Sequence, residues 1–347
     1  MKNFEKAGRI ALGAMALSLV AFVSEAQVGI GITVPQEKLH IHDGSVLVTT
    51  PNLPAENDPF YDPSFPEPVQ FLFKWFSDKS AFRSVGERVG TGVLNAQSIG
   101  AYSFASGYEN FASGVGATAF GLRNSVSGFA SFAHGHNTQA TGNISFAYGY
   151  LTSASGHSSV AIGQQVSTNG KSGSFIFGDN SGSSAKNDAS NQMMMRFAGG
   201  YKLFSDNNGN IGMQLIAGGN SWSVISDVNK KENFSPVNGE DFLKKIGSMN
   251  LTSWNYKGQD PKAFRHYGPM AQDFYAAFGK DAYGTIGNDT TINQADFDGV
   301  NLIAIQALVR KMDQLNSDLR AEIASLKAQI AIWEKPSKGK RILVSKR

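Results

Sequence analysis

Ser226 and Lys231 stand five residues apart in the run Ser226-Asp227-Val228-Asn229-Lys230-Lys231. A serine hydroxyl becomes a nucleophile when a neutral amine takes its proton. A lysine amine can do this when desolvation or a neighbouring cation lowers its affinity for protons. Five residues is little more than one turn, so Lys231 can fold back to Ser226 across a tight loop, with Lys230 as the adjacent like charge. The plainer reading is that Ser-Asp before a helical stretch is an N-cap. Spacing alone favours the cap, and the surroundings have to decide.

Upstream, residues 191–225 alternate through Phe197, Tyr201, Phe204, Ile211, Met213 and Leu215, with Asp206-Asn207-Asn208-Gly209 as a hairpin turn; they read as a β neck. Downstream come Phe242-Leu243-Lys244-Lys245-Ile246, Trp254-Asn255-Tyr256, Gly268-Pro269-Met270-Ala271-Gln272-Asp273-Phe274, and Asp298-Gly299-Val300 opening a helix. In this order, over residues 225–335, the motifs resemble the endosialidase-type intramolecular chaperone domain that closes phage tail spikes and related fibres. The resemblance implies at most a single-turnover, self-cleaving serine endopeptidase. Ser226 would be the nucleophile, Lys231 the general base, and Asp227 an orienter of the loop. The scissile bond would be Ile225–Ser226, with Ser226–Asp227 as the alternative. Lys230 and Gln272 are possible supporting residues; Gln272 either lines the processing site or makes a structural hydrogen bond. Residues 268–278 are expected as a helix entered through Pro269 at its first position, and Arg265, His266 and Tyr267 as surface.

The last helix carries apolar residues at Ile305, Leu308, Met312, Leu315, Leu319, Ile323, Leu326, Ile330 and Trp333. Their mean spacing of 3.5 is the coiled-coil value. Three strands are permitted by this seam without being dictated; the alternative is a helix packed on its own domain.

The neck follows a repeat. Gly114, Gly128, Gly142, Gly156 and Gly170 are 14 apart, and so are Gly107, Gly121, Gly135, Gly149 and Gly163. Alanine stands two residues before each glycine of the second set, and serine or alanine two before that; a shifted sixth copy ends at Gly178. Segments such as Ser145-Phe146-Ala147-Tyr148-Gly149 alternate small and bulky, the period of a strand. Two short strands and two turns per repeat make one coil of a parallel β-roll. Coils this narrow enclose little apolar volume, and burying a second small-residue stripe against two sister chains predicts a homotrimer. A monomeric solenoid is the alternative. The pattern Ser-x-Ala-x-Gly, followed seven residues later by small-Gly, is similar to the head repeats of trimeric autotransporter adhesins over residues 96–178. That implies a trimeric left-handed roll that binds surfaces, although no C-terminal β-barrel anchor is expected here.

Lys2, Lys6 and Arg9, the apolar run from Ile10 to Val23, and Ser24-Glu25-Ala26 read as a signal peptide over residues 1–26. The apolar run is too short to cross a membrane, so a secreted or cell-surface protein with no membrane span is expected. The chain has no cysteine, which excludes disulfides and cysteine-based metal sites. Residues 335–347 carry six basic residues and no acid, so the net charge of +3, less six, leaves −3 for the rest. Nothing suggests a nucleic-acid groove. His40 and His42 share a strand face without a third ligand nearby, so no metal and no cofactor are expected.

The remaining divisions are N-terminal strands at 27–48, a Pro-rich loop and lead-in strand at 49–95, the roll at 96–184, the neck at 185–225, the chaperone domain at 226–304 and the coiled coil at 305–334. Phe71 to Phe76 reads as a buried strand. The fold class is mainly β with an α-helical C-terminus. Three functions fit: an adhesin-like surface fibre with autoprocessing and a cell-surface glycan or protein ligand, a tail-spike-like protein that binds or degrades polysaccharide, or an uncleaved structural fibre. Residues 96–184 contain few acids (Glu109 and Asp179 stand out), which weighs against a glycosidase's paired carboxylates. Threading three chains in register is slow, so a C-terminal module that trimerises first and is then cut away would make the fibre kinetically stable.

Overall fold

The computed structural model describes residues 28–42, 44–50, 69–88 and 90–333. Residues 1–26, expected as a signal peptide, most of the Pro-rich loop and the basic tail lie outside the described residues. The chain divides into two compact units, residues 1–201 with 216–218, and residues 202–215 with 219–347.

The first unit is the β-roll. Five-residue strands at Phe104–Tyr108, Thr118–Leu122, Phe132–His136, Phe146–Tyr150 and Val160–Gln164 pair in parallel, one per 14-residue coil. Alanine lies on alanine through the stack, from Ala105 to Ala161. Two-residue strands, Phe111–Ala112 through Ala185–Lys186, build the opposite wall. The stack runs beyond the shifted sixth repeat, because Met193–Arg196 pairs with Phe175–Gly178. Residues 185–196, placed by sequence in the neck, therefore belong to the roll; the glycines that mark repeats end before the strand ladder does.

The interior is small and sealed. Ala105, Ala119, Ala133, Ala147 and Ala161 from one wall meet Ala112, Val126, Ala140 and Ala154 from the other, all with no exposed surface. A polar column closes one corner. Asn110 Oδ1 accepts from Asn124 N and Nδ2 at 3.0 and 2.9 Å, and Asn124 Oδ1 accepts from Thr138 N and Oγ1 at 2.9 and 2.6 Å. Turns stack as closely: a Cβ on Gly149, at φ +126°, would land on the Gly163 carbonyl. The small stripes are thus consumed inside each coil and are not left for sister chains. The bulky stripe of the five-residue strands is the one turned outward, because the interior between walls this close is filled by alanine with a few valines.

One end of the roll is closed by an antiparallel extension, in which Val46–Thr50 pairs with Val69–Phe76, and that with Ala81–Arg88. Leu72 is buried, but Phe71, Phe73 and Trp75 are exposed, so this strand is covered on one face only, contrary to the sequence expectation. Arg83 is fully buried at the end of the alanine column. It donates to the Phe82, Ser103 and Ala112 carbonyls and to Ser103 Oγ, and burial pushes its pKa down to about 10. It fills the end of the interior as a second donor to the Ser103 and Ala112 carbonyls, which already accept from Phe82 N and Gly100 N.

The second unit holds the C-terminal helices and most of a three-stranded sheet of Gly200–Phe204, Gly212–Ile216 and Ser223–Val224. Helix α1 (Gly239–Ser248) is capped by Asn238, whose side chain accepts from Glu240 N and Asp241 N. Helix α2 (Ala271–Phe278) starts two residues after Pro269, later than expected, with Met270 at the N-cap position and no side-chain cap. Helix α3 (Gln294–Trp333) is 40 residues long, about 60 Å. Phe274, Phe278 and Val300 form a small core with Phe242, Ile246 and Met249 against it. His266, expected as surface, is half-buried and stacks on Trp254 at 4.7 Å between ring centroids, because the strand His266–Gly268 pairs with Thr252–Trp254.

Candidate functional site

A hairpin leads into the segment that carries Ser226. Asp206 holds its turn by accepting from Ile211 N and Asn210 N at 3.0 Å and from Asn208 N at 3.2 Å. These backbone hydrogen bonds, that from Ile211 foremost, lower the pKa of the carboxyl. The third strand, Ser223–Val224, pairs with Met213 and Gln214, and Ile225 N donates to Gly212 O at 3.1 Å. Ile225 is therefore held at the end of a strand, and Ser226 is the first residue to leave the sheet.

The chain then turns back on itself. Asp227 accepts from Asn229 N and Asn229 Nδ2, both at 2.9 Å, and so caps a 3-10 turn over Val228–Lys230. Lys230 N donates to Asp227 O at 3.1 Å and Lys231 N to Val228 O at 3.2 Å, which completes the reversal. Lys231 Nζ lies 2.7 Å from Ser226 Oγ, as a donor to it. Capping does not exclude the contact that a nucleophile would need: Asp227 is the cap, and the turn it makes brings Lys231 to Ser226. The distance suits proton transfer in either direction.

Lys230 is not beside the pair. Its Nζ donates to Gly209 O at 2.8 Å, tying the loop to the hairpin turn. Gln272, near the start of α2, makes no hydrogen bond to Ser226 or Lys231 among the described residues. Both Ser226 and Lys231 are exposed in the single chain. Gly209 and Gly212 as partners of this loop escaped the sequence reading, although Asp206-Asn207-Asn208-Gly209 marked the turn that supplies them. Arg265 donates to Asn255 Oδ1 and Ser253 Oγ, and so ties down the segment after Trp254.

His40 and His42 lie 6.4 Å apart between ring centroids, and no group of three or more His, Cys, Asp or Glu able to hold a metal occurs among the described residues. No described helix is long and apolar enough to cross a membrane.

No curated protein matches the chain. The segment that opens on Ser226 does match a known family: residues 226–282, from the Ser226–Lys231 turn through α1 and α2, fit the family described as chaperone of endosialidase.

Proposed function

We propose that this chain is an exported, homotrimeric, adhesin-like fibre whose C-terminal module folds the trimer and is then released by one cut of its own. The observation that carries the reading is the 2.7 Å approach of Lys231 Nζ to Ser226 Oγ, at the first residue of the segment that fits the chaperone family. Lys231, once neutral, takes the Ser226 hydroxyl proton. Oγ attacks the Ile225 carbonyl carbon, the C–N bond to Ser226 breaks, and the proton passes to the freed nitrogen. Water hydrolyses the resulting ester, leaving an Ile225 carboxylate and a new Ser226 amine. Nothing regenerates the substrate, so each chain turns over once.

A lysine becomes a base when water is excluded from it. In one chain both partners are exposed, so the sister chains are assigned the role of covering the pair, which gates the cut on assembly. Two surfaces support the trimer. The α3 seam is exposed throughout, with Leu315 at 57 % and Ile323 at 50 %. The bulky face of the roll is rich in rings, with Phe132 stacked on Phe146 at 5.1 Å and Tyr148 47 % exposed, among polar positions such as Thr118 and His134. This is the face assigned to the sister chains. Export through residues 1–26 and a surface ligand complete the reading.

Denaturing gels and mass spectrometry of wild type beside Ser226→Ala test it. Wild type gives two fragments, the smaller beginning at Ser226, and Ser226→Ala and Lys231→Met give one band. A fragment beginning at Asp227 would move the cut to the alternative bond. A single band from assembled wild type leaves the uncleaved fibre, in which the C-terminal module is a clamp.

A further inference from the structure

Charge is scarce in the roll, and where it occurs it is concentrated. Between Thr91 and Gly178 the sequence has one acid, Glu109, and two bases, Arg123 and Lys171. Glu109 occupies a turn corner, and its side chain is 5 % exposed. Arg88 Nε meets Glu109 Oε1 at 2.6 Å, Arg88 Nη2 lies 3.4 Å from Oε2, and Arg123 Nε meets Oε2 at 3.0 Å. Burial alone would raise the Glu109 pKa; the two guanidinium hydrogen bonds outweigh it and hold the carboxyl below its ordinary value. One arginine would neutralise this carboxylate. The second leaves a surplus positive charge.

Both arginines spend their Nε edge on Glu109. Arg88 Nη1 and both Nη nitrogens of Arg123 have no hydrogen-bond partner among the described residues. Both arginines line an open cleft of about 640 Å³ with Glu109, Phe111 and Ser125, and the Arg123 guanidinium also lies over the Tyr108 ring, 5.9 Å from its centroid. The other coils carry uncharged Asn137, Leu151 and Gln165 at the corner where Glu109 and Arg123 stand, so the feature is particular to this end of the roll.

We propose that this cleft binds the carboxylate of an acidic sugar. A planar guanidinium end presents two parallel N–H donors that match a carboxylate. Phe111 offers an apolar face for a sugar ring, and Ser125 a hydroxyl partner. The cleft opens on the short-strand wall, whose outward residues Ser125, Gln139, Ser153 and Ser167 are polar, opposite the aromatic strip. It stays in solvent if the aromatic strip is the face turned to the sister chains; the site does not depend on the cut at Ser226.

Titration calorimetry on the full-length trimer, with a glucuronate-containing tetrasaccharide against its carboxyl-reduced counterpart, tests the site. The acidic sugar binds, and the reduced sugar binds at least about tenfold more weakly. Arg123→Gln loses about tenfold or more in affinity while keeping its melting temperature, since Arg88 still neutralises Glu109. If that variant melts early, Arg123→Lys keeps the charge beside Glu109 but lacks the planar fork, and shows the same loss. Absence of binding, equal affinity for the reduced sugar, equal or tighter binding of a glutamate-rich peptide, or unchanged binding by Arg123→Lys overturns the proposal. Sedimentation of the same sample reports the trimer separately, so a failure of assembly is distinguishable from a failure of the site.

Discussion

Ala147 and Leu319 are both apolar members of strict repeats, yet Ala147 has no exposed surface and Leu319 is 46 % exposed. The difference lies in what each repeat closes on. A coil of the roll closes on itself, so its small residues meet across the interior of one chain. A helix cannot close on itself, and the seam of α3 beyond Ala307 has nothing of its own chain to face. The roll therefore owns its core, whereas the long helix leaves an apolar seam that its own chain does not cover. In the proposed trimer, assembly that begins at the helix would cost no roll structure, and it would bring three rolls to high local concentration before their aromatic faces must find register.

The largest effect expected from this contrast comes from charging the seam. Leu319→Asp places a carboxylate in what would be a fully desolvated layer of three chains, so trimer is lost in sedimentation velocity at micromolar concentration. Wild type stays trimeric. If assembly gates the cut, the variant also remains one band on a denaturing gel. A monomeric variant that still cleaves at the wild-type rate would separate the dyad from the trimer and overturn the gating.

The next effect tests the closed interior. Ala147→Leu forces a branched side chain between walls that already touch, with Ala133 and Ala161 above and below it. Overpacking of this kind costs about 1–3 kcal/mol or more, because the neighbours are backbone and cannot repack. The melting temperature of the roll falls, while a trimer held by α3 persists. Equal melting temperatures would show that the interior is looser than its lack of exposed surface indicates.

How much of this was legible follows the same division. The 14-residue period fixed the coil, and the position of alanine two before glycine fixed which residues share a wall. Sequence could not tell the inward stripe from the outward one, because that depends on the distance between walls, which two-residue strands set. The Ser226–Lys231 pair was legible as spacing, and Asp227 as a cap. The contact of Lys230 with Gly209 was not, since a hairpin 21 residues upstream supplies the carbonyl. Sequence ended the roll at residue 184, soon after the last repeat glycine, Gly178, whereas the ladder continues through Met193–Arg196.

The smallest expected effect is a gain. Tight coils force residues at their corners into the left-handed region, and Ile144 sits there at φ 55° with 55 % of its surface exposed. For a β-branched residue this conformation costs about 1–2 kcal/mol, a penalty largely absent for asparagine, which the roll already uses at Asn137 with φ 53°. Ile144→Asn therefore relieves strain without removing an interior contact, and it raises roll stability by about 1 kcal/mol in a denaturant melt. The sign carries the information. If Ile144 packs on a sister chain, lost burial offsets the relieved strain, and the variant gains stability only when the trimer is abolished by Leu319→Asp. A gain of equal size in both backgrounds places this corner in solvent, and a gain confined to the monomer places it in the interface.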